Sequence, residues 1–165
     1  MARHRYLIAL GSNKRHHKFG RPRQVMGQAM IELDQAGVRA LKVGPLVFSD
    51  PLGPSYRKYA NSVAVVGTSL EPEELLGLIK RIERQFGRRP GGQRWGSRVI
   101  DLDIVLWDGG PFVSKGLVIP HPRFRTRAFV LGPAAEAAPD WRDPVSGLTL
   151  RQLNARLTAR RPLRR

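Results

Sequence analysis

The stretch "RWGSRVIDLDIVLW", Arg94 to Trp107, reads as a strand that carries two acids among apolar residues. Successive strand side chains point to opposite faces. Ile100, Leu102, Ile104 and Leu106 would therefore make one apolar face, while Val99, Asp101, Asp103 and Val105 share the other. At a rise of about 3.3 Å per residue the Cα atoms of the two aspartates stand roughly 6 to 7 Å apart, near enough to converge on shared cations. Like charges this close disfavour ionisation unless cations offset them. Arg94 and Arg98 are one source of positive charge. Mg2+ is another, since it is commonly held by one or two carboxylates together with substrate phosphates. A solvated strand face whose acids pair with neighbouring arginines would have the same sequence, and this stretch alone does not choose between the two.

Working upstream, "RRPGGQ" is a glycine-rich basic loop that leads into this strand. Before it, Leu75, Ile79, Ile82 and Phe86 form the buried stripe of a helix that Gly87 stops. Pro72 suits its first turn, where Glu71, Glu73 and Glu74 favour the positive end of the helix dipole. "NSVAVVGT" is a strand, "SDPLGPSYRKY" a long loop, and Val38 to Phe48 a further strand. Met26, Ala29, Met30 and Leu33 recur at i, i+3, i+4 and i+7, predicting an amphipathic helix closed by Gly37. Tyr6 to Leu10 is the first strand, ended by Gly11, Ser12 and Asn13. The order βαββαβ predicts an α+β fold, a ferredoxin-like antiparallel sheet with two helices packed on one face.

Beyond Trp107 come extra C-terminal elements. "DGGP" is a turn, Leu117 to Ile119 a short strand, "PHPRF" a loop, Thr126 to Ala138 a helix and Leu148 to Leu157 a weaker one. The ending, from about residue 158, is a basic tail with the composition of a disordered end. Residues 1–165 are expected to form a single domain.

With 29 Lys and Arg against 13 Asp and Glu, the net charge is +16, which points toward anionic partners. Seven basic residues and no acid lie between Arg3 and Arg23, and six arginines and no acid between Arg151 and Arg165. The cluster Lys80, Arg81, Arg84, Arg88, Arg89, Arg94 and Arg98 stands just before the aspartate pair, where fixed cations would serve a metal and a polyphosphate. The absence of cysteine excludes disulfides and thiolate metal sites and fits a reducing compartment. No apolar run reaches the roughly 18 residues of a membrane span, and the first residues do not make a signal peptide, so a cytoplasmic, soluble protein is expected.

The chain has no G-x-x-x-x-G-K-[ST] loop and no G-x-S-x-G elbow. His4, His16, His17 and His121 show no zinc spacing, so a metal here would be hard and oxygen-bound. Taken singly, other candidates have ordinary explanations: His121 as a turn histidine, Tyr59 and Phe129 as core rings, Asn61 as a turn residue, Trp95 as a loop anchor. In combination they do not. "IALGSN" (Ile8 to Asn13), "PLGPSYRKYANSVAVV" (Pro51 to Val66), "GRRPGGQRWGSRVIDLDIVLW" (Gly87 to Trp107) and "IPHPRFRTRAFVLGP" (Ile119 to Pro133) follow the order and spacing of one family. Over about residues 5 to 141 the chain resembles the 6-hydroxymethyl-7,8-dihydropterin pyrophosphokinases of folate biosynthesis.

The resemblance implies transfer of the terminal pyrophosphoryl group of ATP to the pterin hydroxymethyl group, with release of AMP and the help of two Mg2+ ions. It makes Asp101 and Asp103 the carboxylates that hold both ions. One of them, or a bound water, would take the hydroxyl proton. Arg88, Trp95, Arg98, His121 and Arg127 match positions that contact ATP or close over it, with Arg88 and Arg98 counted as catalytic beside the aspartates. Guanidinium forks bind phosphate bidentately, which agrees. Tyr59 and Phe129 match the rings that sandwich the pterin, Asn61 reads its amide edge, and backbone groups around Ser49 and Leu52 complete the contacts. The loops at Lys14 to Arg23, Ser49 to Lys58 and Gly87 to Trp95 would close over the substrates. A monomer is expected, and nucleic acid is not, despite the charge.

Several positions depart from the family pattern. The basic "KRHHKFGR" follows GSN where a leucine-glycine-acid turn is usual, Pro90 stands in place of a common arginine, and Ser97 replaces a proline. Pro51 to Asn61 is about one residue short, and Arg89 is the candidate to cover for the missing arginine. Two other readings accompany the leading one. A paralogue that binds pterin or ATP without transfer would explain the altered loops, and a basic nucleic-acid-binding sheet would explain the charge.

Overall fold

Strand β1 (His4–Ser12) runs through the middle of the sheet and pairs antiparallel on both sides. Its neighbours are β4 (Tyr59–Thr68) and β5 (Asp101–Trp107). On its far side β4 takes β2 (Arg39–Val43) and, further along, β3 (Val47–Ser49). The path β2-β4-β1-β5 is the antiparallel order of a ferredoxin-like sheet. The structure, a computed structural model, describes residues 2–50, 58–87 and 99–159.

Both faces of the sheet are covered. On one, Tyr6, Ile8 and Leu10 meet Val25, Ala29 and Leu33 of α1 (Pro22–Gln35) and Leu75, Ile79 and Ile82 of α2 (Pro72–Gln85). On the other, Leu7, Val63, Val65 and Val105 meet Val130, Leu131 and Ala134 of α3 (Ala128–Ala137) and Leu150 and Leu153 of α4 (Leu150–Thr158). This double burial is why β4 reads as the unbroken apolar run "VAVV" instead of alternating. The first two helices end as their glycines dictate. Gly37 (φ 86°) donates its N–H to the Asp34 carbonyl and Val38 to that of Leu33, a Schellman closure, and Gly87 (φ 97°) follows α2.

Five expectations need correction. Val38 to Phe48 is two strands, not one, because the chain crosses close over β4 at Gly44. A Cβ there would stand 2.9 Å from the Val63 side chain and 3.0 Å from the Pro133 carbonyl, and Pro45 has no N–H to continue a ladder. Leu106 does not share a face with Ile104. The register shifts by one between Leu7 and Ile8, leaving Val105 as the extra residue of a bulge, so Leu106 joins Val105 in the second cluster and Trp107 packs against the first. Val99 lies ahead of the strand and also packs against the first cluster. Asp101 and Asp103 precede the bulge and keep their common face, opposite Gly11 and Ala9.

The other three corrections follow Trp107. Phe112–Ser114 forms a strand, β6, that pairs with β7 (Leu117–Ile119), where only the second was expected. The helix expected from Thr126 is a 3-10 turn at Phe124–Thr126, then an extended Arg127 (φ −102°, ψ 100°), then α3. The basic tail expected from about residue 158 begins later, since Thr158 still belongs to α4 (Leu150–Thr158), and its residues 160–165, like the loop "RRPGGQ", lie outside the described residues.

Candidate active site

The sheet face that carries Leu7, Val63, Val65 and Val105 is apolar along only half its length. Beyond that half the same face carries Ala9 and Gly11 on β1, Tyr59 and Asn61 on β4, and Asp101 and Asp103 on β5. The register sets Asn61, Gly11 and Asp101 in one row across three strands, and Val63, Ala9 and Asp103 in the next. With adjacent strands about 4.8 Å apart, Asn61 and Asp101 stand roughly 10 Å apart with only a glycine between them. A cleft of about 630 Å³ opens over this floor, a volume suited to small-molecule ligands. A Cβ at Gly11 would reach within 3.4 Å of Asn61 Oδ1 and 3.7 Å of Tyr59 Cδ1, so the glycine keeps the floor flat.

At the β4 end, Asn61 is 5% exposed and its Nδ2 donates to Ser49 Oγ (2.8 Å) and the Tyr59 carbonyl (3.2 Å). Those bonds commit both amide hydrogens and leave Oδ1 over Gly11, where it can accept from a ligand N–H. Tyr59 and Phe129 line the same end. Phe129 packs at the margin of the second cluster, and the Arg127 guanidinium carbon lies 5.8 Å from its ring centroid.

At the β5 end the aspartates meet His121 and Arg127. The backbone N–H of His121 donates to the Val105 carbonyl (2.9 Å), tying its loop to the bulge residue. Its Nδ1 accepts from the Arg123 N–H (3.1 Å), so in the neutral ring Nε2 carries the proton. Burial pushes the His121 pKa down; Asp103 opposes the shift while Arg127 and Arg123 reinforce it. Burial likewise pulls Arg127 below its ordinary value, against the attraction of Asp103. A half-buried cation beside a carboxylate pair gains from an anionic ligand that replaces lost hydration.

Ser49, Tyr59, Asn61, Asp101, Asp103, His121, Arg127 and Phe129 all line this one cleft. Leu52, Arg88, Trp95 and Arg98 lie outside the described residues. Lys80 and Lys115 also line the wall, and of the two only Lys115 escaped the sequence reading. Lys80 figured only within a basic cluster, although Leu76 and Lys80 share one edge of α2 at i, i+4; Lys115 sits in the β6–β7 turn, which no local pattern announces. Glu83, one helical turn beyond Lys80, is 1% exposed and its Oε2 accepts from the Leu102 N–H (3.3 Å). Among the described residues no three His, Cys, Asp or Glu side chains gather as a metal cage. Two carboxylates on an open wall offer hard oxygen donors and leave positions for phosphate and water, which fits Mg2+.

Residues 7–139 match the family model of 7,8-dihydro-6-hydroxymethylpterin-pyrophosphokinase (HPPK). The 2-amino-4-hydroxy-6-hydroxymethyldihydropteridine pyrophosphokinase of Pseudomonas aeruginosa is 39% identical over 142 residues, covering 85% of this chain and 84% of that one. The protein of the same name from Synechocystis is 40% identical over 118 residues, 72% of this chain and 60% of its own length. The match thus spans less than two thirds of the Synechocystis protein. A crystal structure of wild-type Plasmodium falciparum HPPK-DHPS with pteroate shares the fold, with a TM-score of 0.74 at 13% identity over 93% of this chain and 44% of that one. By the extent of these matches, this chain belongs to the 7,8-dihydro-6-hydroxymethylpterin-pyrophosphokinase family.

Proposed function

We propose that the protein transfers the pyrophosphoryl group of ATP to the hydroxymethyl group of 6-hydroxymethyl-7,8-dihydropterin, forming AMP in folate biosynthesis. The observation that carries this reading is the row Asn61, Gly11, Asp101, which sets an amide suited to a flat heterocycle and a carboxylate pair at the two ends of one cleft.

In this reading the pterin lies over Gly11 between Tyr59 and Phe129. Offset ring contacts hold it and Asn61 Oδ1 accepts from its amide edge, an interaction that rejects rings lacking the N–H. The Tyr59 carbonyl, which can only accept, fixes the amide so that it presents oxygen, not nitrogen, and Ser49 strengthens that orientation. His121, through Nε2–H, and Arg127 bind phosphate oxygens, joined by Arg88, Arg98 and Trp95 from the segment of sequence before β5. Asp101 and Asp103 would hold two Mg2+ ions. When bound, these neutralise phosphate charge and order the chain for in-line attack. The substrate oxygen forms a bond to the β-phosphorus as the bond to the α-phosphate oxygen breaks, and AMP leaves. The hydroxyl proton passes to an aspartate or a bound water.

A monomer of one domain, working in the cytoplasm, suits this chemistry. No helix among the described residues is long and apolar enough to cross a membrane. On β4, where a nucleic-acid-binding sheet would present stacking rings, Val63 and Val65 lie under α3. Incubation with ATP, Mg2+ and hydroxymethyldihydropterin should yield AMP in a pterin-dependent manner, and Asp103→Ala should abolish it. Formation of ADP, or unaltered turnover in Asp103→Ala, would overturn the proposal.

A further inference from the structure

We infer that Arg125 and Asp143 form a positioning pair that holds Arg127 against the cleft. The inference rests on the reading of Arg127 and His121 as phosphate contacts. Both come from the connection between β7 and α3, where no strand ladder sets the backbone. At its start the His121 N–H is tied to Val105, and in its middle Phe124 is buried in the second cluster. Arg127 itself is extended, between the 3-10 turn and the first residue of α3.

Arg125 does not line the cleft; it turns instead to the segment between α3 and α4. Its Nε donates to Asp143 Oδ2 (2.6 Å) and its Nη2 to Oδ1 (2.8 Å), a bidentate pair, while its guanidinium carbon lies 4.7 Å from the Phe124 ring centroid. Asp143 has no exposed surface. Ser146 Oγ donates to Oδ2 (2.7 Å) and the Val145 N–H to Oδ1 (3.1 Å), so both carboxylate oxygens are satisfied twice. The backbone of Asp143 closes the same turn, donating to the Leu148 carbonyl and accepting from the Gly147 N–H, each at 2.8 Å. A carboxylate this fully bonded is a rigid fixture, and Arg125 is what connects it to the cleft wall.

The family match ends at residue 139, so Asp143, Val145 and Ser146 all stand beyond it. A turn outside the matched region thus sets the placement of a residue inside it. Through the two-residue link from Arg125, the pair fixes the rotation of the backbone at Arg127 and with it the direction of the guanidinium.

The test is steady-state AMP formation by the full chain, with ATP and pterin varied separately, in Asp143→Asn, Arg125→Met, Arg125→Lys and Arg127→Ala. Asp143→Asn and Arg125→Met should raise the KM for ATP roughly fivefold to tenfold while the KM for pterin stays within about twofold, since misplacing a binding group weakens only the contacts it makes. Arg125→Lys should recover part of the loss, and the double variant Arg125→Met/Asp143→Asn should be no worse than either single one. A lower melting temperature with an unchanged KM for ATP in Asp143→Asn, beside a raised one in Arg127→Ala, would overturn the positioning role alone. An unchanged KM for ATP in Arg127→Ala, with AMP still formed, would overturn the phosphate reading and the inference with it.

Discussion

Glu83, buried on α2, accepts a hydrogen bond from the backbone N–H of Leu102, the residue between Asp101 and Asp103 (3.3 Å). Strand β5 ends the path β2-β4-β1-β5, so among the described residues no neighbouring strand accepts from the N–H groups on its outer side. Glu83 supplies that acceptor at the point where the two carboxylates need a fixed backbone.

Replacing Glu83 with alanine should therefore cost about 1–3 kcal/mol, the penalty for a buried N–H left without a partner. It should also raise the Mg2+ concentration needed for half-maximal AMP formation. Glu83→Gln keeps an acceptor and should lose less on both counts. Urea unfolding and a Mg2+ titration of turnover check the two effects separately, and equal losses in the two variants would contradict the role of the bond.

Ser49→Ala removes the shortest bond to the Asn61 amide nitrogen (2.8 Å) and leaves only the longer ones, to the Tyr59 (3.2 Å) and Val47 (3.5 Å) carbonyls, to orient it. Pterin affinity should fall about fivefold to tenfold, the scale of one hydrogen bond, with ATP affinity unchanged. Asn61→Leu, which removes the amide altogether, should be worse. Calorimetric titration with each substrate distinguishes this from a general loss of structure.

His121 is held below its ordinary pKa of 6.5, first by burial. The unfolded chain therefore binds the proton more readily, so the contribution of His121 to stability is present in full above pH 6.5 and declines as the pH falls below it. His121→Gln should flatten the dependence of the urea midpoint on pH in that range. An identical slope in the variant would show that other groups cause it.

Asp143 loses its contribution in the same direction, at lower pH and for a different cause. Burial alone would raise its pKa, but the hydrogen bonds from Arg125, Ser146 and Val145 outweigh it and hold the group at about 2, below its ordinary 3.8. The stability it confers is complete above pH 3.8 and is lost as the pH falls toward 2. Asp143→Asn should be less stable than the natural chain at neutral pH, with the two unfolding curves converging near the folded-state pKa. Circular dichroism across an acid titration would show this.

Much of this molecule is written in local pattern. The 3.6-residue recurrence of Leu75, Ile79 and Ile82, the glycines that close α1 and α2, and the period-2 spacing of Asp101 and Asp103 each depend on neighbours a few residues away, so the order βαββαβ and the shared face of the two acids follow from the sequence by itself. Motif order did the same for the cleft residues, because "IDLDI" and "PHPRFRTRAF" carry them in short, recognisable runs. Only the tertiary structure decided the rest. The bulge at Val105 arises from the register against β1, the break at Gly44 from its closeness to Val63 and Pro133, and the pairing of Arg125 with Asp143 from the docking of α4. Glu83 and Lys115 reach the site in the same way. Each of these is a contact between residues distant along the chain, and such contacts are set by packing, which leaves no periodic trace in either segment.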